Sequence, residues 1–408
     1  CEKERTPRPK KYMETCLRST RCEAQAASAS LNTNAQSTRR PTCFGALIPI
    51  LILLAAFLPF AAHGSGPDAQ TPSIEIGLGL SPNMAVDPED REIHLVYRLG
   101  DKLLYRVGDF DGRFGDPEEI FTSTSRGPKL WDPRIVLDAN GTPHVTVSDG
   151  ENGNRFTWYT NRIGGGWKPV TVVFDKVEDE LHRTTMPSIV LEPDGSAAYV
   201  STFTVGGPAK GEGNKWGILA RLENLSGTPQ VKAKRKIFPW NPELALVDGT
   251  LYVGGRHKGP GGDRNFILQE YDRESLEPLG EMYDFTQQYH GETARISVDS
   301  AGEIHVAGSF SWVEDTDVTG WYNTLSRVKA GHGPIIYQTS NANLNGAATP
   351  IRDQRADDRV YVLYWHGAQD DHLEPSECSE GNFLHYTRME NGEKEIEARK
   401  ISDRETSH

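Results

Sequence analysis

PRIVLDANGTPHVTVS, residues 133 to 148, is an alternating apolar run, an Asp/Gly turn and a second run rich in Val. A period of two on both sides of a tight turn is the pattern of a β-hairpin. The pattern returns in NMAVDPEDREIHLVYR (83–98), PSIVLEPDGSAAYVST (187–202), PELALVDGTLYVGGR (242–256), ARISVDSAGEIHVAGS (294–309) and PIRDQRADDRVYVLYW (350–365). Aligned on the turn, the copies fall at Arg91, Gly141, Gly195, Gly249, Gly302 and Asp358, at intervals of 50, 54, 54, 53 and 56 residues. A fixed period of this length marks a repeat architecture in which each unit buries its faces against its neighbours.

A second pair of strands follows each hairpin. Its first member reads KLLYRVG, RFTWYTNR, KWGILARL, NFILQEYD, YNTLSRV or NFLHYTRM, and its second includes WKPVTVVF, QVKAKRKIF and KEIEARKI. Four strands per unit, repeated around a ring, predict an all-β fold: a single β-propeller of six four-stranded blades. SIEIGL (73–78) and KEIEARKI both compete for the outermost place of the last blade, which leaves room for a seventh, degenerate blade. A proline near the start of five first strands (Pro82, Pro133, Pro187, Pro242, Pro350) suits a strand's opening residue, where no ladder donor is needed.

The D-x-x-G-x-x-H-V hairpin, the following Y-x-x-R and the G-G-W turn of YTNRIGGGW (159–167) resemble the BNR-repeat, sialidase-like propellers. Neither the S-x-D-x-G-x-x-W Asp-box nor the F/Y-R-I-P opening of true sialidases is present. The nearest likeness is to the propeller families that include ulvan lyases and rhamnosyl-glucuronate-cleaving enzymes, in which His, Tyr and Arg act on acidic polysaccharides. The resemblance implies a propeller and, more distantly, a carbohydrate-active enzyme.

Residues 44–62, FGALIPILILLAAFLPFAA, follow Arg39 and Arg40 and precede the small-residue stretch AAHGSG. This reads as a secretory signal peptide ending near Gly64. A retained anchor is the alternative, since the run is just long enough to span a bilayer. The expected division is therefore a basic N-terminal region with signal peptide, 1–64, and a propeller domain, 65–408, that is secreted or periplasmic. Nine basic and four acidic side chains lie in 1–64, so 35 basic and 53 acidic remain, a net of −18. That surface disfavours nucleic acid, whose phosphates need cations. Cys378 stands alone after the signal segment, so no intramolecular disulfide is available there and the domain relies on its core.

In a propeller, the turn inside each first hairpin lies on one face, and the loops before the opening prolines and after the second strands lie on the other. His144 is thereby placed at the base of its strand. Its column reads His94, His144, Ala198, Tyr252, His305, Tyr361, which is a packing position repeated with the fold. The opposite face carries the reactive groups. The catalytic candidates are His290, Tyr289, His182, Arg183, Arg256 and His257. Those for substrate binding are Trp131, Asp132, Trp240, Asn241, Glu292, Trp312 and His366. Abstraction of the proton beside a uronate carboxylate needs a base (His290 or His182), an acid for the leaving oxygen (Tyr289) and a cation to disperse charge (Arg183 or Arg256). Tryptophans offer flat faces to sugar rings. Hydrolysis would instead need two carboxylates. The ends Trp131-Asp132 and Ser148-Asp149 are expected on this face. The partner is a polysaccharide or oligosaccharide, the protein a monomer, and no cofactor is required. Structural calcium is the one metal that the acidic loops EDTD (314–317) and Asp370-Asp371 could hold, whereas DFDGRFGD (109–116) reads as a turn. A non-catalytic glycan- or protein-binding propeller and a sialidase-like hydrolase are the competing functions.

Overall fold

The computed structural model describes residues 80–87, 89–123, 130–150, 156–179, 184–205, 215–258, 264–287, 291–299, 301–310, 318–339, 349–352, 359–366, 383–390 and 393–400. All lie in one compact unit, formed by 71–371 and 379–408; the second unit, 1–70 with 372–378, contains no described residue.

The chain is an all-β propeller. The first sheet is β1 (Leu80–Asp87), β2 (Glu92–Leu99), β3 (Lys102–Asp109) and β4 (Glu118–Thr122). The second is β5 (Leu130–Leu137), β6 (Pro143–Asp149), β7 (Phe156–Asn161) and β8 (Thr171–Asp175), and the third β9 (Thr185–Leu191), β10 (Ala197–Val205), β11 (Lys215–Glu223) and β12 (Gln230–Ile237). The fourth is β13 (Trp240–Val247), β14 (Thr250–Lys258), β15 (Arg264–Tyr271) and β16 (Pro278–Asp284). The fifth is β17 (Gly291–Val298), β18 (Ile304–Phe310), β19 (Val318–Thr324) and β20 (Ile335–Thr339). A further sheet contains β21 (Thr349–Arg352), β22 (Arg359–His366), β23 (Phe383–Glu390) and β24 (Glu393–Lys400). Each is a four-stranded meander in chain order, paired antiparallel throughout. First strands lie against first strands, β1 on β5, β5 on β9, β9 on β13 and β13 on β17, so they surround a common axis.

The expected count of six or seven blades is refined. Five blades, residues 80–339, have described cores. The sixth four-stranded sheet follows, with β21 against β17 and β18 and β24 against β20, but its side chains lie outside the described residues. No seventh sheet occurs among the described residues. In the sixth sheet β24 takes the outermost place, so KEIEARKI prevails over SIEIGL, which is itself outside the described residues.

The core consists of layers between blades. Val96, Leu103 and Tyr105 of the first meet Ile135, Val145 and Val147 of the second. Tyr159 and Phe174 meet Ile189, Val200 and Ile218, and Tyr199 and Leu219 meet Leu244, Leu251 and Val253. Phe266 and Leu268 meet Ala294, Val306 and Trp321. The second, third and fourth sheets thus bury both faces, and apolar burial of this kind is worth about 25 cal/mol per Å². The hairpin turns are as the sequence indicated: Gly141 (φ 71°) donates its N–H to the Asp138 carbonyl at 3.0 Å, and the left-handed backbone there suits glycine.

Two local readings change. Pro82, Pro133, Pro187 and Pro242 do not open their strands, whereas Pro350 is the second residue of β21 in an unbroken ladder. Ser81, Asp132, Met186 and Asn241, each just before a proline, have φ of 51, 50, 50 and 51°, and the β1–β2, β5–β6, β9–β10 and β13–β14 ladders slip there. Each of these four prolines sits in a β-bulge, where the ladder has already lost a bond and its missing N–H costs little. YNTLSRV is not all strand: β19 ends at Thr324, and Leu325–Lys329 forms a short helix α1. Thr324 caps it by accepting the Arg327 N–H at 3.4 Å, the usual role of Thr at a helix start.

Candidate functional site

The bulges set the side chains that follow them. The residues just after the four prolines are Asn83, Arg134, Ser188 and Glu243, and Arg295 holds the matching place, its ladder partner Ala307 lying two residues past His305 as Thr146 lies two past His144. All five are polar on strands that otherwise alternate. They bind the blades to one another around the axis. Asn83 Oδ1 accepts the Ile135 N–H (2.9 Å), Arg134 Nε donates to the Pro187 carbonyl (3.2 Å), and Ser188 Oγ accepts the Leu244 N–H (3.2 Å).

At the centre of this ring is Glu243. Arg134 of the second blade reaches past the third to place Nη2 3.4 Å from Glu243 Oε1, a contact possible only across the axis. Arg295 of the fifth blade donates to the same oxygen, and the Ser188 hydroxyl donates to Oε2 at 3.4 Å. The three charged side chains are 16, 24 and 12% exposed for Arg134, Arg295 and Glu243. Burial lowers the Arg134 guanidinium from its ordinary value, with Asp132 opposing. Burial and then repulsion from Arg134 bring Arg295 well below its ordinary value, again opposed by Asp132. Two like charges are therefore held close by one shared carboxylate.

Asp132 stands on the bulge above this ring, its Oδ2 accepting the Thr185 hydroxyl at 3.4 Å. Arg98 lies over the half-buried Trp131 ring at 4.7 Å and donates to the Leu130 carbonyl at 2.8 Å; burial lowers it and Asp132 opposes this. Among the described residues, three guanidiniums (Arg98, Arg134, Arg295) and two carboxylates (Asp132, Glu243) gather here, an excess of one positive charge in a strongly acidic chain. An arginine's planar fork suits a carboxylate.

Of the residues expected on one mouth, Trp131 and Asp132 lie at the β5 bulge, the first under Arg98 and the second accepting from Thr185. Asn241 occupies the equivalent bulge in the fourth blade, with a buried Oδ1 that finds no hydrogen-bond partner among the described residues. Trp240 and Arg256 are corrected: they are 4 and 7% exposed, stacked on one another at 4.4 Å, with Phe203 6.4 Å from the tryptophan. Neither offers a free face to a sugar or its carboxylate. His257 is corrected too. Alternation along β14 turns it away from Arg256 into a lateral groove with Arg235, Phe238 and Tyr271, where burial lowers its imidazole against the opposing Asp284. Ser148 and Asp149 do not reach the face: both are buried, and Asp149 accepts the Ser123 hydroxyl (2.6 Å) and Trp158 Nε1–H (3.1 Å). His182, Arg183, Tyr289, His290 and Trp312 lie outside the described residues, as do the side chains of Glu292 and His366.

The base-of-strand histidines behave as their column implied. His94, His144 and His305 are 5, 1 and 8% exposed, each with Nδ1 hydrogen-bonded to a tyrosine hydroxyl, of Tyr105 (2.6 Å), Tyr159 (2.6 Å) and Tyr322 (2.7 Å). Burial lowers His94 and His144 and raises the three tyrosines. DFDGRFGD is a turn in which Arg113 pairs with Asp109 and Asp111 at 3.5 and 3.4 Å. Among the described residues no cluster of three metal-binding side chains occurs, and no helix is long and apolar enough to cross a membrane. The loops EDTD and Asp370-Asp371 lie outside them.

No family model matches the chain, and no curated protein does. Among solved structures it is similar to a protein of unknown function from Dyadobacter fermentans, with 12% identity, a TM-score of 0.48, and coverage of 71% of this chain and 91% of that one. A Penicillium chrysogenum α-L-arabinanase complexed with arabinobiose shares 11% identity at a TM-score of 0.47, over 78 and 94% of the two chains. A Trypanosoma rangeli sialidase in complex with sialic acid shares 11% at 0.44, over 71% of this chain and 52% of that one. At these values the likenesses bear on neither the activity nor the substrate of this chain.

Proposed function

We propose that the chain is an exported carbohydrate-active enzyme that cleaves a uronic-acid-containing polysaccharide, with the uronate carboxylate held in the channel by Arg134 and Arg295. The observation that supports this reading is the charge balance among the described residues of the channel, where three arginines stand beside two carboxylates. One ligand carboxylate completes the count, and a neutral sugar does not. Pairing the uronate with arginine also withdraws charge from the adjacent carbon, making its proton easier to remove. In β-elimination a base takes that proton, the C–O bond to the leaving sugar breaks, a C=C bond forms, and an acid protonates the departing oxygen. His290 or His182 would serve as base and Tyr289 as acid. Export rests on residues 44–62.

A hydrolase is the second reading, favoured by Asp132 and Glu243, two carboxylates in one channel such as glycosidic hydrolysis uses. Incubation with alginate, polygalacturonate and ulvan, following ultraviolet absorbance and reducing ends together, separates the two. Absorbance with new ends marks elimination; new ends alone mark hydrolysis. Neither signal with any polymer refutes the enzyme. R295L is expected to lower kcat/KM at least about a hundredfold, the loss typical of a donor to developing charge.

A further inference from the structure

We infer that the layer between the second and third blades holds, at the end nearer the bulges, an internal cluster of water molecules. Apolar side chains fill most of this layer: Tyr159 and Phe174 of the second blade lie against Ile189, Val200 and Ile218 of the third. At the bulge end the character changes. Trp131, Ser148, Thr157 and Phe174 are successive ladder partners across β5, β6, β7 and β8, so they share one face of the second sheet. Phe174, and Tyr159 two residues along β7 from Thr157, turn that face toward the third blade. On the third sheet, alternation along β10 puts Thr202 and Thr204 on the same side as Ala198 and Val200, which pack in this layer. Thr204 is partnered by Trp216, which lies against the same cluster. Thr185 is partnered by Phe203, so Thr184 stands opposite Thr204, one step further along the ladder. Strand β9 packs on both β5 and β6, which brings the two polar rows together.

Ser148, Thr157, Thr184 and Thr204 are each 0% exposed, and their hydroxyls have no hydrogen-bond partner among the described residues. The buried Trp131 Nε1–H shares this condition. Neighbours that reach a carbonyl use it: Thr146 donates to that of Trp158 at 2.7 Å, and Thr202 to that of Thr185 at 2.8 Å. An unpaired buried hydroxyl costs about tenfold in the folding equilibrium, so four of them with an indole N–H at one end of one layer call for an occupant. Chemistry selects it. An indole N–H only donates, which disfavours a cation beside it, and neutral hydroxyls bring no charge to offset the desolvation of an anion. Water both donates and accepts, and a buried molecule makes about three bonds to groups of this kind. The cluster's inner end meets a charged group: Thr185, next to Thr184, donates its hydroxyl to Asp132 Oδ2 at 3.4 Å.

The test counts slowly exchanging water in the full chain by deuteron magnetic relaxation dispersion, alongside urea denaturation. T157V, T184V and T204V each remove one hydroxyl. Each should lower the dispersion amplitude by about one water molecule and the folding equilibrium constant about fivefold, because the remaining waters lose a bond. T202V, whose hydroxyl already bonds a carbonyl, should lower stability and leave the amplitude unchanged. A fall in amplitude in at least two of the three variants, with T202V unchanged, supports the cluster; three positions keep the test decisive where one variant does not fold. A fall in fewer than two overturns it, whichever way stability moves: a gain shows that the hydroxyls are unpaired, and a loss that they bond one another. An equal fall in T202V overturns it as well.

Discussion

Replacement of Glu243 by Gln keeps the shape and the acceptor for Ser188 but removes the charge that Arg134 and Arg295 share. At the 3.4 Å separation of the Arg134 pair, an effective dielectric near 20 gives an attraction of about 5 kcal/mol. The three side chains retain 12 to 24% exposure, so solvent recovers part of this, and about 3 kcal/mol of lost stability is expected. In a domain this large that is a fall in melting temperature of about 5 °C. The sign then reverses in a second background. With Glu243 neutral, Arg295 contributes only repulsion toward Arg134, so R295L, costly in the parent, should restore stability to E243Q. Urea denaturation of the parent, both single variants and the double variant measures this coupling. If R295L costs the same in both backgrounds, or E243Q is within 0.5 kcal/mol of the parent on the scale of about 3 expected, the shared carboxylate is not what holds the two arginines. Among the described residues the same substitution raises the local excess from one positive charge to two, so binding of a uronate oligosaccharide should tighten while folding weakens.

Other outcomes follow from single features. The buried histidines His94 and His144 are pulled below the ordinary imidazole value, so the unfolded chain binds more protons than the folded one at mild acidity. Stability is therefore full above about pH 6.5 and is lost as pH falls toward the folded-state values, by at most about 1.4 kcal/mol per histidine per pH unit. Urea midpoints at pH 7.5 and 5.5 check this, and H144Q should flatten the slope. A Cβ at Gly255 would meet Pro239 Cβ at 2.7 Å and the Trp240 carbonyl at 2.8 Å, so G255A should destabilise by about 2 kcal/mol in thermal melts. Met186 has φ 50° and is 36% exposed; M186N, with a residue that tolerates this backbone, should raise stability by about 0.5 to 1 kcal/mol.

The hairpins were legible because they repeat: an alternating run around an Asp/Gly turn can be read without knowing its neighbours. The histidine column was legible for the same reason, since a position shared by His, Tyr and Ala points to packing. The column after the prolines carried an equal signal in Asn83, Arg134, Ser188, Glu243 and Arg295, polar side chains at one register of buried strands. Its meaning depends on the axis, where residues 109 apart in sequence, Arg134 and Glu243, become neighbours. Trp240, Arg256 and His257 were misread because position at the end of a strand gives height in the blade but not direction. The bulge and the alternation along β14 decided that, turning one arginine into its own blade and the next histidine outward.

The bulged residues also bear on how such a molecule can change. Ser81, Asp132, Met186 and Asn241 differ in size, polarity and charge, yet share one backbone conformation within one degree of φ and one following proline. A position outside the hydrogen-bond ladder can exchange its side chain without disturbing the strands on either side. The channel therefore has, in each of four blades, a socket whose occupant is set independently of the fold. Selectivity for a differently charged ligand can therefore be varied at these sockets, with the strands on either side left in register.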